Sequence, residues 1–171
     1  MMDLKNEIRS IENFPQEGVI FRDITPILHN PKLLKEAVHQ MQDGLNENDF
    51  DLVLGPESRG FIFGVPISYN MNKGFVPVRK AGKLPYKTVA KTYDLEYGTA
   101  TIEIHVDAIQ PGDRVVIVDD LLATGGTTKA IIELVESMGG KVVKLAYLIE
   151  LEFLKGREVL EGYDIHSVIK Y

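Results

Sequence analysis

Two adjacent carboxylates, Asp119 and Asp120, stand directly after four consecutive β-branched residues, Val-Val-Ile-Val at 115–118. A short apolar run of this kind predicts a strand that is buried on both faces, as in a parallel sheet. The two acids would then lie at its carboxyl end, where open α/β sheets bind their ligands. Because ionised carboxylates accept hydrogen bonds from hydroxyl groups, we expect the pair to bind a sugar diol.

The residues that follow the acids combine small size with hydroxyl groups. Gly125 and Gly126 permit a close approach to the backbone, and a helical pattern of apolar residues comes next. The unpaired N–H groups and the positive dipole end of a helix start favour anions. Hydroxyl donors are available from Thr124, Thr127 and Thr128. Acids and turn together predict a ribose 5-phosphate site.

Cations gather after two other predicted strands. Arg59 follows one of them, and Arg79, Lys80 and Lys83 follow the next. A single exposed Arg or Lys is usually a solvated surface charge. Cations at the ends of two strands of an acidic protein instead indicate an anion site, since such cations stabilise the negative charge that develops on a departing anion.

Alternating short apolar runs and helical patterns predict an α/β fold with parallel strands and right-handed crossovers. Core strands are predicted at residues 51–54, 75–78, 115–118, 142–148 and 165–169, the last at a sheet edge. Helices are predicted at 2–10, 31–45, 61–70 and 153–160, with one more after the central turn.

Two segments depart from this alternation. Residues 81–101 are polar and interrupted by Gly and Pro, which predicts a long functional excursion containing a β-ribbon of 88–93 against 100–106. Residues 13–26 carry Pro and Gly punctuation and predict an irregular segment. This segment is either a lid or docking surface, or an arm packed on the domain.

Composition narrows the class of protein. A chain of 171 residues suits one domain, and its net charge of −6 argues against a general nucleic-acid or anionic-membrane surface. No apolar run approaches the ~20 residues of a membrane span, and the N-terminus lacks the apolar core of a signal peptide. With no cysteine and four histidines lacking ligand spacing, we expect a cytoplasmic protein without a protein-held metal.

The string Asp-Asp-Leu-Leu-Ala-Thr-Gly-Gly-Thr at 119–127 resembles the signature with which type I phosphoribosyltransferases bind 5-phosphoribosyl 1-pyrophosphate (PRPP). The resemblance narrows to the adenine phosphoribosyltransferases when further motifs are included, because their order and spacing also agree. The matching segments are residues 19–26, 57–64, 78–85, 93–98, 116–128 and 155–171.

This resemblance implies a type I phosphoribosyltransferase fold, an α/β domain over residues 1–171 with a central, mostly parallel five-stranded sheet flanked by helices. An N-terminal hood segment at 1–30 and a flexible catalytic loop at 81–106 are implied as well. The implied reaction is Mg²⁺-dependent transfer of the phosphoribosyl group from PRPP to N9 of adenine, giving AMP and pyrophosphate. Mg²⁺ would be held mainly by substrate oxygens and water.

Residue roles follow from the same resemblance. Asp119 and Asp120 would hold the ribose hydroxyls, and Glu96 and Tyr97 would act from the catalytic loop, with Glu96 handling the proton of adenine. Cations of the 79–83 segment can reach a neighbouring subunit's site in this family, so a homodimer is implied. The implied contacts are Ala123, Thr124, Gly125, Gly126 and Thr127 for the 5′-phosphate; Arg59, Arg79, Lys80 and Lys83 for pyrophosphate; and Ile20, Phe21 and Arg22 for adenine.

Two alternatives stay open. One is a phosphoribosyltransferase for hypoxanthine, guanine or xanthine, because hood residues that act through backbone groups predict base choice poorly. The other is a regulator that binds PRPP without turnover, which the acidic charge and the Glu96-Tyr97 pair disfavour. A receiver domain is excluded because its acidic pair comes near the N-terminus, and neither a P-loop nor a dinucleotide-binding fingerprint occurs.

Overall fold

The computed structural model describes residues 2–94 and 98–171. It divides into two compact units, the first ending at Asp43 and the second spanning Gly44–Tyr171. Within the described ranges, no helix has the length and apolar character needed to cross a membrane.

The first unit is an antiparallel strand pair followed by two helices. Strand β1 (Arg9–Glu12) pairs with β2 (Ile20–Asp23), and the helices α1 (Thr25–His29) and α2 (Pro31–Gln42) pack on each other. Asn30 caps α2, since its side-chain oxygen accepts hydrogen bonds from the N–H groups of Lys32 and Leu33. Pro31 then occupies the first turn, where it removes no hydrogen bond from the helix.

Some predictions for this unit are wrong. Where a helix was expected over 2–10, Lys5–Glu7 forms a 3₁₀ turn, and Arg9 and Ser10 belong to β1, whose backbone groups find their partners in β2. The segment 13–26, expected to be irregular, contains all of β2 and the start of α1. Helix α2 ends at Gln42 rather than at residue 45.

The second unit is built on one seven-stranded sheet. Its order is β5-β6-β4-β3-β7-β8-β9, in which β4, β3, β7, β8 and β9 run parallel and β6 runs antiparallel to β4 and β5. The strands are β3 (Leu52–Pro56), β4 (Gly74–Lys80), β5 (Thr88–Asp94), β6 (Thr99–His105), β7 (Arg114–Leu122), β8 (Lys141–Glu150) and β9 (Ile165–Lys170).

The five predicted core strands are confirmed as the parallel part of this sheet, with β9 at an edge as expected. The predicted ribbon is also confirmed: β5 pairs with β6 from Thr88 opposite His105 to Asp94 opposite Thr99. Because β6 also pairs with the end of β4, the ribbon continues the central sheet rather than standing apart from it.

Helices connect the parallel strands. Helix α3 (Arg59–Asn70) packs on β3 and β7, and α4 (Gly126–Ser137) packs on β5 and β8. The helix predicted over 153–160 is instead a 3₁₀ turn (Glu152–Leu154) and the short α5 (Gly156–Val159). Lys155 separates the two because its φ of 56° lies in the left-handed region, which a right-handed helix cannot continue through.

Strand β7 is the centre of the core. Val115, Val116, Ile117 and Val118 are each at most 1% exposed, so both faces of the strand are buried as the apolar run predicted. Four buried residues of this kind contribute on the order of 1.5–3 kcal/mol each to folding. The strand therefore holds whatever follows Val118 in a fixed position at the sheet's carboxyl edge.

Candidate active site

The acidic pair stands at the carboxyl end of β7, as predicted. The backbone N–H of Asp120 donates to Asp119 Oδ1 at 2.8 Å, and Arg59 Nε lies 3.1 Å from Asp120 Oδ2. Gly60 allows this arrangement, because a Cβ there would meet Pro56 Cδ at 2.6 Å and Asp119 Oδ1 at 3.2 Å. Helix α3 thus starts close against the acids and brings Arg59 to them.

Both acids hold their protons more tightly than an ordinary Asp. Burial raises the pKa of Asp119 well above its usual value, and the neighbouring charge of Asp120 adds to this rise. Burial also raises the pKa of Asp120, against the opposing effect of the Arg59 guanidinium. Arg59 therefore offsets the cost of burying the pair only in part, and a sugar diol or a cation would stabilise its charge further.

A cavity of about 510 Å³ opens beside the pair, between the carboxyl ends of β3, β4 and β7 and the β5–β6 ribbon. Its volume falls within the roughly 300–1,000 Å³ of small-molecule sites. It is lined by Pro56, Glu57, Ser58, Arg59, Val78, Arg79, Lys80, Tyr93, Ala100, Thr101, Ile102, Asp119, Asp120 and Thr127.

Three of the four predicted pyrophosphate cations line this cavity. Arg79 Nε donates to Glu57 Oε2 at 2.9 Å, and Glu57 also accepts from the backbone N–H of Lys80 at 3.1 Å. The Arg79 hydrogen bond lowers the pKa of Glu57 below its usual value, so Glu57 is an ionised anchor for this corner. Lys83 is exposed and is not among the described residues that line the cavity.

The predicted phosphate turn forms a second, smaller cavity of about 80 Å³. It shares Asp119 and Thr127 with the larger cavity, so the two are contiguous. Gly125 precedes α4 with φ +84°, which places the first N–H groups of the helix, unpaired by helix geometry, at the turn. All five predicted phosphate residues, Ala123, Thr124, Gly125, Gly126 and Thr127, line it.

Thr128 also lines the smaller cavity, but its hydroxyl group forms a hydrogen bond in the core. Its Oγ1 lies 2.7 Å from Tyr147 Oη inside the core, and both residues are buried. Burial raises the pKa of Tyr147, so the phenol keeps its proton and can hold this bond. The pair fixes the first turn of α4 to β8.

Gly156 packs directly against the backbone of the phosphate turn, a contact that the sequence analysis did not predict. A Cβ at Gly156 would meet Ala123 O at 2.4 Å, and one at Gly125 would meet Gly156 O at 2.9 Å. The neighbouring Arg157 makes two hydrogen bonds, of 2.6 and 2.8 Å, with Glu150, which is 3% exposed at the end of β8. Although burial raises the pKa of Glu150, the bonds from Arg157 and Ser167 bring it below the usual value.

The predicted adenine residues occupy consecutive positions of β2 in the first unit. Phe21 is half-buried and meets Phe14 edge-to-face with 5.3 Å between ring centroids, Ile20 is exposed, and Arg22 Nη1 donates to Ser10 Oγ. The two remaining predictions, Glu96 and Tyr97, lie outside the described residues. Across residues 2–94 and 98–171, no group of three or more His, Cys, Asp or Glu side chains is arranged to hold a metal ion.

Comparison with known proteins agrees with this geometry. The phosphoribosyl transferase domain family matches residues 23–167. An adenine phosphoribosyltransferase of Lachnoclostridium phytofermentans is 62% identical over 171 residues, covering 100% of this chain and 98% of the relative.

Solved structures agree as well. The adenine phosphoribosyltransferase of Thermoanaerobacter pseudethanolicus superposes with a TM-score of 0.95 at 52% identity, covering 98% of each chain. That of Saccharomyces cerevisiae, complexed with adenine and D-2,5-dideoxy-2,5-imino-altritol 1,6-bisphosphate, gives 0.91 at 41% identity and covers 96% of each chain. The chain therefore belongs to the phosphoribosyltransferase family, among the adenine phosphoribosyltransferases.

Proposed function

We propose that the chain transfers the 5-phosphoribosyl group of PRPP to N9 of adenine, with Mg²⁺, and releases AMP and pyrophosphate in purine salvage. One observation carries the proposal. The acidic pair, the phosphate turn and a cationic corner line two cavities that share Asp119 and Thr127. The cationic corner consists of Arg59, Arg79 and Lys80. A diol site thus lies between two anion sites, in the order that the ribose, 5′-phosphate and pyrophosphate of PRPP require.

The chain's own residues then divide the work. Asp119 and Asp120 accept hydrogen bonds from the ribose hydroxyls and favour the cationic, oxocarbenium-like ribose by their negative charge. Arg59, Arg79 and Lys80 stabilise the departing pyrophosphate. The turn 123–127 anchors the 5′-phosphate, which orients the anomeric carbon between leaving group and base.

The residues present fit a bound Mg²⁺, although none forms a closed ligand set. Mg²⁺ prefers oxygen ligands, usually keeps several waters and shares substrate phosphates. Asp119, which is partly exposed, offers a carboxylate to the cavity that the cationic corner also lines. Bound there, the ion would supply neutralisation of pyrophosphate charge.

For the base, we propose Ile20, Phe21 and Arg22, within a hood segment at 1–30. The yeast relative is complexed with adenine, and the pairing of β2 with β1 holds these three residues on one short strand. Stacking on an aromatic side chain is worth about 1–3 kcal/mol per base, so Phe21→Ala is expected to raise the KM for adenine. A change confined to the KM for PRPP would contradict this role.

For proton transfer we propose Glu96, with Tyr97 beside it, in a catalytic loop at 81–106 that excludes water during transfer. Glu96→Gln is expected to lower kcat while leaving PRPP affinity nearly unchanged. Unchanged turnover would remove the acid–base role.

We also propose a homodimer and a cytoplasmic location. Lys83 supports the dimer: it is exposed and is not among the described residues lining its own chain's cavity, so it is available to a partner's site. Sedimentation of the protein at micromolar concentration tests this, and a monomer would contradict it.

The function itself is tested by incubating the protein with PRPP, Mg²⁺ and one purine at a time, and measuring nucleotide and pyrophosphate. We expect AMP from adenine and little product from hypoxanthine, guanine or xanthine. Preferential use of another base would overturn the adenine assignment. PRPP binding without any product would instead indicate a regulator.

A further inference from the structure

A hydrogen bond links the β5–β6 ribbon to the phosphate turn. Tyr93, near the end of β5, places its Oη 3.1 Å from Thr127 Oγ1 in the first turn of α4. Six residues further along the helix, Lys91 Nζ lies 2.5 Å from Glu133 Oε2, so β5 packs along α4. The Tyr93 ring is partly buried and packs against the hydrophobic core cluster, which holds the phenol in place.

The chemistry of the phosphate determines which hydroxyl donates. Either atom of the Tyr93–Thr127 pair could be the donor by geometry alone. An anionic phosphoryl group, however, offers acceptors, and a threonine hydroxyl has a single proton. If Thr127 gives that proton to the phosphate, its oxygen can only accept from Tyr93. The order of donation is then Tyr93 to Thr127 to phosphate.

We propose that Tyr93 is a positioning residue for the 5′-phosphate, because its phenol donates to Thr127 and so aims the Thr127 proton at the phosphoryl group. This inference rests on the proposed placement of the 5′-phosphate at 123–127. Hydrogen bonds in series polarise one another, so the phenol strengthens the bond that Thr127 makes. The ligand class is a phosphomonoester, and the pyrophosphate contacts at Arg59 and Arg79 are not involved.

Removal of the phenol oxygen alone tests the relay. Tyr93→Phe keeps the ring that packs on the core, and Tyr163→Phe is the matched control, since Tyr163 also packs on the core and its Oη donates to Glu136 of α4 at 2.8 Å. Affinities for AMP, adenosine and inorganic pyrophosphate are measured by calorimetry. We expect Tyr93→Phe to weaken AMP binding about two- to tenfold, the range for one neutral hydrogen bond. Adenosine and pyrophosphate binding by Tyr93→Phe, and AMP binding by Tyr163→Phe, should not change.

A double-mutant cycle with Thr127→Val separates the relay from a general loosening of the ribbon. Once Thr127 has no hydroxyl, Tyr93→Phe should add no further loss of AMP affinity. An equal further loss, an equal loss of pyrophosphate affinity, or unchanged AMP affinity in Tyr93→Phe would each overturn the inference.

The affinities of the wild-type protein for AMP and adenosine distinguish a failure of the Tyr93 inference from a failure of the proposed function. If it binds AMP no more tightly than adenosine, the phosphate placement is wrong and the relay falls with it. If it prefers AMP and Tyr93→Phe keeps that preference in full, only the role of Tyr93 is wrong.

Discussion

The carboxyl groups at the two ends of strand β7 have pKa values that are shifted in opposite directions. At its start, Arg114 forms hydrogen bonds of 3.0 and 2.8 Å from its guanidinium to the carboxylate of Asp51, which also accepts from the Arg114 backbone N–H. These bonds lower the pKa of Asp51 to about 2. At its end, Asp119 and Asp120 stand side by side, and burial raises the pKa of both.

The difference shows that the fold pairs the carboxylate at one end of β7 with an opposite charge, and leaves the carboxylates at the other end incompletely compensated. Asp51 and Arg114 compensate each other's charge and form hydrogen bonds with each other, so this end of the strand does not need a ligand to balance its charge. The cost of burying the acidic pair is only partly offset, even with Arg59 at 3.1 Å, and under the proposed function the ribose hydroxyls would stabilise the pair further. An unfavourable arrangement of charges such as this one persists at functional sites because the surrounding core holds the side chains in place.

Neutralising the acidic pair should produce the largest effect. Asp119→Asn with Asp120→Asn is expected to lower kcat/KM by about 10²- to 10⁴-fold, since each lost hydrogen bond to a charged group is worth about 1.5–3 kcal/mol. The same change should raise the melting temperature at neutral pH. A raised pKa means that the folded state binds protons more tightly than the unfolded state, so the pair opposes folding increasingly as the pH rises above the ordinary Asp pKa, and fully once the pH exceeds the raised values.

Parallel kinetics and thermal unfolding from neutral to acidic pH check both parts. The gain in melting temperature should shrink as the pH falls and the wild-type pair becomes protonated. Near-normal kinetics would refute the diol role, and a lower melting temperature at neutral pH would refute the incomplete compensation of the pair.

The acidic end of β7 was predictable from residue types, whereas the Asp51–Arg114 pair was not. The run at 115–118 identified β7 and thus the position of the acids, and the glycines of 123–128 identified the turn. These signals are local: an apolar run bounded by polar residues, and Gly where the backbone must take φ +84°. For the same reason the parallel strands were placed within a few residues of their observed bounds.

Other features depend on contacts between residues far apart in the chain, which no local pattern reports. Thr128 has the same residue type as Thr127, yet its hydroxyl bonds Tyr147 in the core. Gly156 lies 33 positions beyond Ala123, whose carbonyl leaves no room for a Cβ. The strand pairing of β1 with β2 likewise overrode the helix predicted at Arg9 and Ser10.

The second prediction concerns the close packing of Gly156 against the backbone of the phosphate turn, at the carboxyl end of β7. Gly156→Ala would place a Cβ 2.4 Å from Ala123 O and so displace the phosphate turn. Misplacement of a substrate by about 1 Å can cost as much as 10²-fold, so kcat/KM for PRPP should fall by about 10- to 100-fold. Initial rates at varied PRPP measure this.

Gly140 provides the matched control, because it precedes β8 beside the opposite end of β7. A Cβ there would meet Ile109 Cγ2 at 2.8 Å and Val135 Cγ1 at 2.9 Å, a clash with core side chains rather than with the turn. Gly140→Ala should lower the melting temperature and leave the KM for PRPP unchanged. Equal kinetic effects of the two variants would show that general destabilisation explains both.

The third prediction uses the charge coupling within the pair. Because the charge of Asp120 contributes to the raised pKa of Asp119, Asp120→Asn should lower the pKa of Asp119. The acidic limb of kcat/KM against pH, measured on the residual activity, should therefore move to lower pH. An unmoved limb would assign it to another group, and Asp51→Asn serves as the variant that should not move it.

The smallest effect is expected from the matched end of β7. Asp51→Asn removes the charge that Arg114 binds, so the melting temperature should fall slightly at neutral pH while kcat and KM stay unchanged. The pKa of Asp51 is lowered from 3.8 to about 2, so its contribution to stability is complete above pH 4 and disappears as the pH falls toward 2. The difference in melting temperature between variant and wild type should therefore narrow over that interval, opposite in sign to the effect of neutralising Asp119 and Asp120. A loss of activity at neutral pH in Asp51→Asn would show that the two ends of the strand are coupled, and that the matched pair also serves the site.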